Sequence, residues 1–119
     1  MINMSISVIC KKDSTQLVKK IMNDFTQICN AEVIDFQSSS YWKEEMCDSI
    51  SIEMLVNHHN FEEMETIIRL LFKMFGKINS QDLFYTRNEE LLEASVCTSL
   101  TDILNFDKVF LNVYCEKKT

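Results

Sequence analysis

Residues 50–75 read as a strand, a polar turn and an amphipathic helix, and no other stretch limits the fold as tightly. Ile50, Ile52, Met54 and Val56 alternate with Ser49, Ser51, Glu53 and Leu55. Alternation with period two sends one set to a core and the other mostly to water. Asn57-His58-His59-Asn60 then breaks the pattern. Asn60 is a good N-cap, and Glu63 stands three residues on, at capping-box spacing. Glu62, Glu63 and Glu65 fall in the first turns, where the helix dipole favours negative charge. Met64, Ile67, Ile68, Leu71, Phe75 and Ile78 recur at steps of three and four, which makes one apolar stripe. Gly76, the chain's single glycine, follows the run where a left-handed residue closes a helix and a Cβ would be penalised. The spacing predicts a helix over 61–75.

The same two periods organise the N-terminal part. Ile2, Met4, Ile6, Val8 and Cys10 alternate with Asn3, Ser5, Ser7 and Ile9, a first strand. Asp13 or Ser14 can cap a helix over 14–29 whose stripe is Leu17, Val18, Ile21, Met22, Phe25, Ile28 and Cys29, with Asn30 as its stop. Glu32–Gln37 reads as a second strand with Ile34 and Phe36 on one face. Ser38-Ser39-Ser40 marks a turn or bulge, and 38–48 either extends a hairpin or forms a loop. The link to Ile50–Val56 is too short for a crossover helix, so these two strands pair antiparallel.

Beyond Gly76 the pattern is weaker. Leu83, Phe84 and Tyr85 sit in Ser80–Asn88 without a clear period. Leu92, Ala94, Val96 and Thr98 alternate as in a strand, although Glu89-Glu90-Leu91-Leu92 could begin a helix. Thr101–Leu104 suits a helical turn. Val109, Leu111, Val113 and Cys115 alternate against Phe110 and Tyr114, giving a last strand over Lys108–Cys115 and a frayed tail from Glu116. The order is β-α-β-β-α-β with an extra strand near the C-terminus. It predicts a single α+β domain over 1–119, ferredoxin-like, with a mostly antiparallel sheet and two helices on one face. Right-handed crossovers would put strand one and the strand after the second helix in parallel pairings.

Charge narrows the function. The chain has 119 residues and net charge −6. Residues 32–65 carry nine acidic side chains (Glu32, Asp35, Glu44, Glu45, Asp48, Glu53, Glu62, Glu63 and Glu65) against Lys43 alone, while residues 1–31 are slightly basic and 66–119 are balanced. Such a block repels nucleic acid and anionic membranes and attracts basic partners. No apolar run reaches the roughly 18 residues of a membrane helix, and Met1–Cys10 has no basic start before an apolar core. The five cysteines, Cys10, Cys29, Cys47, Cys97 and Cys115, are odd in number and widely spaced, which suits reduced thiols in a cytoplasm without native disulfides.

Chemistry-bearing clusters are few. His58 and His59 with Cys47 are the only metal-ligand types in company, and a zinc site wants three or four ligands at recognisable spacing, so a solvated turn is the better reading and no metal is expected. Neighbouring histidines on such a turn can still titrate near neutral pH and modulate an interface. Carboxylate pairs such as Glu44/Glu45 and Glu62/Glu63 read as solvated faces. One glycine cannot build a phosphate cradle. Tyr41 and Trp42 stand inside the acidic block, either as core aromatics or as the exposed anchors of a protein-binding hot spot.

In size, acidity, scattered thiols and lack of a catalytic motif the chain resembles bacterial immunity proteins, including those of contact-dependent growth inhibition systems. That resemblance implies a cytoplasmic, non-enzymatic inhibitor, needing no cofactor, monomeric or weakly dimeric, that neutralises a cognate protein toxin with a basic active site, above all a nuclease. It brings no site residues with it. The charge pattern supplies them: Asp35, Tyr41, Trp42, Glu44, Glu45, Asp48, Glu53, Glu62 and Glu63. Two other readings stay open. One is an acidic secretion chaperone similar to the type III class, although those begin with a helix and this chain with a strand. The other is a small enzyme or ligand-binding ferredoxin-like domain using His58 and His59.

Overall fold

Ile2, Met4, Ile6, Val8 and Cys10, one side of the first strand, are all shielded from solvent, and the sheet is built outward from them. The computed structural model describes residues 1–43, 45–58, 60–75, 83–98 and 109–117. The elements run β1 (Ile2–Lys11), α1 (Thr15–Cys29), β2 (Ala31–Ser40), β3 (Cys47–Val56), α2 (Phe61–Phe75), β4 (Leu83–Arg87), β5 (Leu91–Thr98) and β6 (Val109–Lys117). The strands form one sheet in the order β2-β3-β1-β6-β5-β4, and every adjacent pair is antiparallel. The inner part, β2-β3-β1-β6, with α1 and α2 on one face, is the ferredoxin-like α+β arrangement; β4 and β5 widen it.

The expected parallel pairings are therefore corrected. β1 lies between antiparallel β3 and β6, and β4 pairs antiparallel with β5 at the far edge. The crossover through α2 carries the chain past β1 to that edge, and the chain returns as a meander, whose successive strands must oppose. β4 itself lies in the stretch that showed no clear period, and β5 is a strand from Leu91, not the start of a helix. β6 continues two residues past the expected end, because Glu116 and Lys117 still find Asn3 and Ile2 across the ladder. The proposed turn at Thr101–Leu104, Gly76 and Ile78 lie outside the described residues.

The start of α2 and the end of α1 fall at the asparagines that predict them. Asn60 accepts a hydrogen bond from the Glu63 amide through Oδ1 at 2.9 Å, satisfying one of the donors a helix start leaves over. The Glu63 carboxylate lies 2.7 Å from His58 Nδ1. α1 starts after Ser14, whose side chain makes no cap, and ends on Asn30 in the left-handed region at φ 53°, which asparagine tolerates.

The core is one layer between sheet and helices. Val18, Ile21, Met22, Phe25 and Cys29 of α1 and Phe61, Met64, Ile68, Leu71, Phe72 and Phe75 of α2 meet the inward sides of the strands in one cluster. Three stripe residues are corrected: Leu17 and Ile67 are only partly buried, and Ile28 is 61% exposed. Phe61 and Phe72 take inward places that the expected stripe did not assign. On β2 a bulge between Val33 and Asp35 changes the register. Val33 opposes buried Met54 and Phe36 opposes buried Ile52, so Ile34 is the extra residue and stands 54% exposed rather than sharing a face with Phe36. A bulge puts two residues opposite one and inverts the parity after it.

Candidate partner-binding surface

The side of the sheet away from the helices carries no layer among the described residues, and its outward positions are mostly polar, with Ile9, Leu55, Leu91 and Phe110 as apolar exceptions. Asn3, Ser5 and Ser7 of β1 alternate with the buried set, as do Ser49, Ser51 and Glu53 of β3, Asn112, Tyr114 and Glu116 of β6, and Glu93 and Ser95 of β5. Cross-strand register assembles five carboxylates on this side: Glu32 and Asp35 on β2, Glu53 on β3, Glu93 on β5 and Glu116 on β6. Lys11 at the end of β1 is the cation found there among the described residues. One ladder row runs Asp35, Glu53, Ser5, Tyr114, Glu93.

The sheet orients some of these carboxylates. Ser5 Oγ donates to Glu53 Oε2 at 2.7 Å, and Asn3 Nδ2 approaches the same oxygen at 3.5 Å. Asn112 Nδ2 donates to Glu93 Oε1 at 2.9 Å, and Gln37 Nε2 to Asp35 Oδ2 at 3.0 Å. Each keeps a second oxygen's lone pairs and its charge toward solvent. A surface with a clear excess of negative charge acts as an electrostatic target for a basic partner.

At one end of this surface the β2–β3 hairpin projects. Tyr41 N donates to Cys47 O at 2.9 Å, and Lys12 N donates to Met46 O at 2.8 Å, so the loop is tied to the end of β1. Tyr41 and Trp42 stack nearly parallel, with ring centroids 6.2 Å apart. Lys43 Nζ lies 4.9 Å from the Trp42 ring centre. Trp42 is 85% exposed and Met46 65%, which answers the alternative of core aromatics: Trp42 is outside.

The residues marked by charge in the sequence do not converge as one site. Asp35 and Glu53 lie on the open side of the sheet, and Tyr41, Trp42 and Glu45 at the hairpin tip. Asp48 is half-buried and serves the fold: its Oδ2 accepts the Asp13 amide at 3.1 Å, pinning a turn in which Asp13 has φ 69°. Glu62 and Glu63 stand at the start of α2, beyond the other end of the ten-residue β3, roughly 30 Å from the tip at about 3.3 Å per strand residue. They stand away from the hairpin tip, on a helix that packs against the other face of the sheet. Glu44 lies outside the described residues. Glu93 and Glu116 were missed, although their signal was present: each sits on the polar side of an alternating strand.

Neither the metal nor the catalytic reading gains a site. Among the described residues no group of three His, Cys, Asp or Glu side chains could hold a metal ion, and His59 lies outside them. An open depression beside the start of α2 is lined in part by Arg87, Lys117, Glu62 and Glu89. Its cations are already engaged: Arg87 Nη1 donates to Glu65 Oε1 at 3.1 Å, and Lys117 Nζ lies over the Phe61 ring at 4.9 Å. Burial pushes the thiol of Cys10 up to about 12, helped by the charges of Asp48 and Cys47. It pushes Cys29 to about 11 and Cys115 to about 12. Such thiols are poor nucleophiles at neutral pH.

The chain matches no protein-family profile and no curated protein. Its structure is similar to the solution structure of the C-terminal domain of the MgtC protein from Mycobacterium tuberculosis, with a TM-score of 0.50 and 12% identity over 62% of this chain and 77% of that one. At that identity the likeness shows the ferredoxin-like α+β fold alone. No described helix is long and apolar enough to cross a membrane.

Proposed function

We infer that this chain is an immunity-type inhibitor, acting in the cytoplasm, that binds and neutralises a cognate bacterial toxin with a basic active site, a nuclease in the first instance. The observation that carries the reading is the joining of carboxylates from four strands into one solvent-facing surface that ends in the exposed Trp42, stacked on a half-buried Tyr41. A nuclease must hold phosphates and so presents lysine and arginine. An acidic sheet steers toward that surface, and an exposed aromatic is the usual anchor once contact is made. Glu45, Asp35, Glu53, Glu93 and Glu116 supply the charge; Trp42 and Met46 supply apolar contact.

The test is growth rescue. The toxin encoded beside this gene is expressed with and without this chain, and nuclease activity is assayed on the purified pair. The reading expects restored growth, a stoichiometric complex and suppressed cleavage. Trp42→Ala should speed dissociation about thirtyfold, as loss of about 2 kcal/mol at an anchor does. Neither rescue nor a complex would overturn it.

A further inference from the structure

The outer edge of β2 lacks several of the usual defences of a sheet edge. β2 ends the sheet at ten residues, against five for β4 at the other edge. Natural edges are blunted by lysine, proline, shortness or a bulge. The strand AEVIDFQSSS contains no lysine, arginine or proline. Its devices are the carboxylates of Glu32 and Asp35, which leave the edge open to a basic strand, and the bulge at Ile34, which leaves Asp35–Ser40 in regular register with β3. Along such a run every second residue turns its N–H and C=O outward, so about three donors and three acceptors face solvent. Apolar groups flank the edge: Ile34 on β2 and Ile28 on the adjoining α1, both more than half exposed.

We propose that the β2 edge takes up an extended, lysine- or arginine-bearing segment of another protein, which joins the sheet as an added strand. Main-chain hydrogen bonds would supply affinity and alternate side chains specificity. Charge chooses the occupant. Glu32 and Asp35 are exposed on β2 itself, and Glu53 stands beside Asp35 on β3. A second copy would bring another chain of net charge −6 to the seam, whereas a basic strand meets carboxylates along its length. The inference rests on the inhibitor reading for its choice of a basic partner and adds how that partner is held.

The probe is a blocked nine-residue peptide alternating lysine with valine and threonine, added to the full-length chain while amide exchange is followed by NMR. The expected result is at least tenfold slower exchange at outward amides within 35–40. The same peptide with glutamate for lysine should have no effect. Gln37→Pro and Ser38→Pro remove neighbouring amides that point to opposite sides of the strand. The outward one should keep its melting temperature and lose peptide protection. Absent protection, equal protection by both peptides, or perturbation confined to Trp42 would overturn the proposal. So would a dimer in sedimentation whose β2 amides are protected without peptide. The two readings fail separately. Full rescue by the outward proline variant would sink strand addition and leave the inhibitor standing; peptide binding without toxin rescue would do the reverse.

Discussion

Leu71→Ala tests the packing that supports the sheet behind the acidic surface. Leu71 is fully buried mid-way along α2, beside Phe72 and near Phe75, in the one layer between helices and sheet. Truncation removes the transfer free energy of three buried carbons and leaves a cavity that two phenylalanines fill poorly, so the cost should be about 3 kcal/mol, within the usual range for buried leucines. With a urea slope of about 1.5 kcal/mol/M, the unfolding midpoint should fall by about 2 M. Far-UV circular dichroism is the assay of choice, because Trp42 is 85% exposed in the folded chain and its emission will change little on unfolding. Ile28→Ala is the control: sequence periodicity puts Ile28 in a stripe and the structure puts it in solvent, so its cost should stay within about 0.5 kcal/mol. A Leu71→Ala loss below about 0.5 kcal/mol, or equal losses at both positions, would refute the core described above.

Asn60→Ala removes the bond to the Glu63 amide and should cost about 1 kcal/mol in the same urea assay; no change would mean water replaces the cap without loss. The thiols of Cys10, Cys29 and Cys115 have folded values raised from 9.0 to between about 11 and about 12. The unfolded chain therefore loses these protons first, and stability should hold below about pH 9 and decline from there toward pH 12. Urea midpoints at pH 7.5 and 10 check this, and an unchanged midpoint would show that the thiols are not buried.

Much of the fold is legible because two periods and a few polar residues act locally. Asn30 and Asn60 stop and start helices through their own side chains and backbone preferences, and the alternation of Ile50 to Val56 needs no knowledge of its neighbours. Ile34 is the counter-example. A bulge inserts one residue and inverts every side after it, and nothing in Val33-Ile34-Asp35 itself marks the shift. β4 escaped notice because Leu83, Phe84 and Tyr85 are consecutive apolar residues without alternation. The acidic surface was only partly visible for a related reason. Charge counted along the chain groups Glu45 at the hairpin tip with Glu62 and Glu63, which β3 separates by its whole length. Strand register instead groups Glu53 with Glu93, forty residues away in sequence, and that information lies in pairing rather than in composition.

Association kinetics at two salt concentrations test the central claim most directly. Glu53 and Glu93 share one ladder row through Ser5 and Tyr114, and neither lies in the core. The double variant Glu53→Lys/Glu93→Lys should fold with an unchanged far-UV spectrum. At low salt it should associate with the basic toxin at least tenfold more slowly than the parent chain, and the dependence of its rate on ionic strength should be much flatter, since steering by opposite charge is screened over a Debye length of about 10 Å at 0.1 M. Equal association rates for parent and variant at both salts, with growth rescue intact, would contradict the account and place the toxin's contact away from the open side of the sheet.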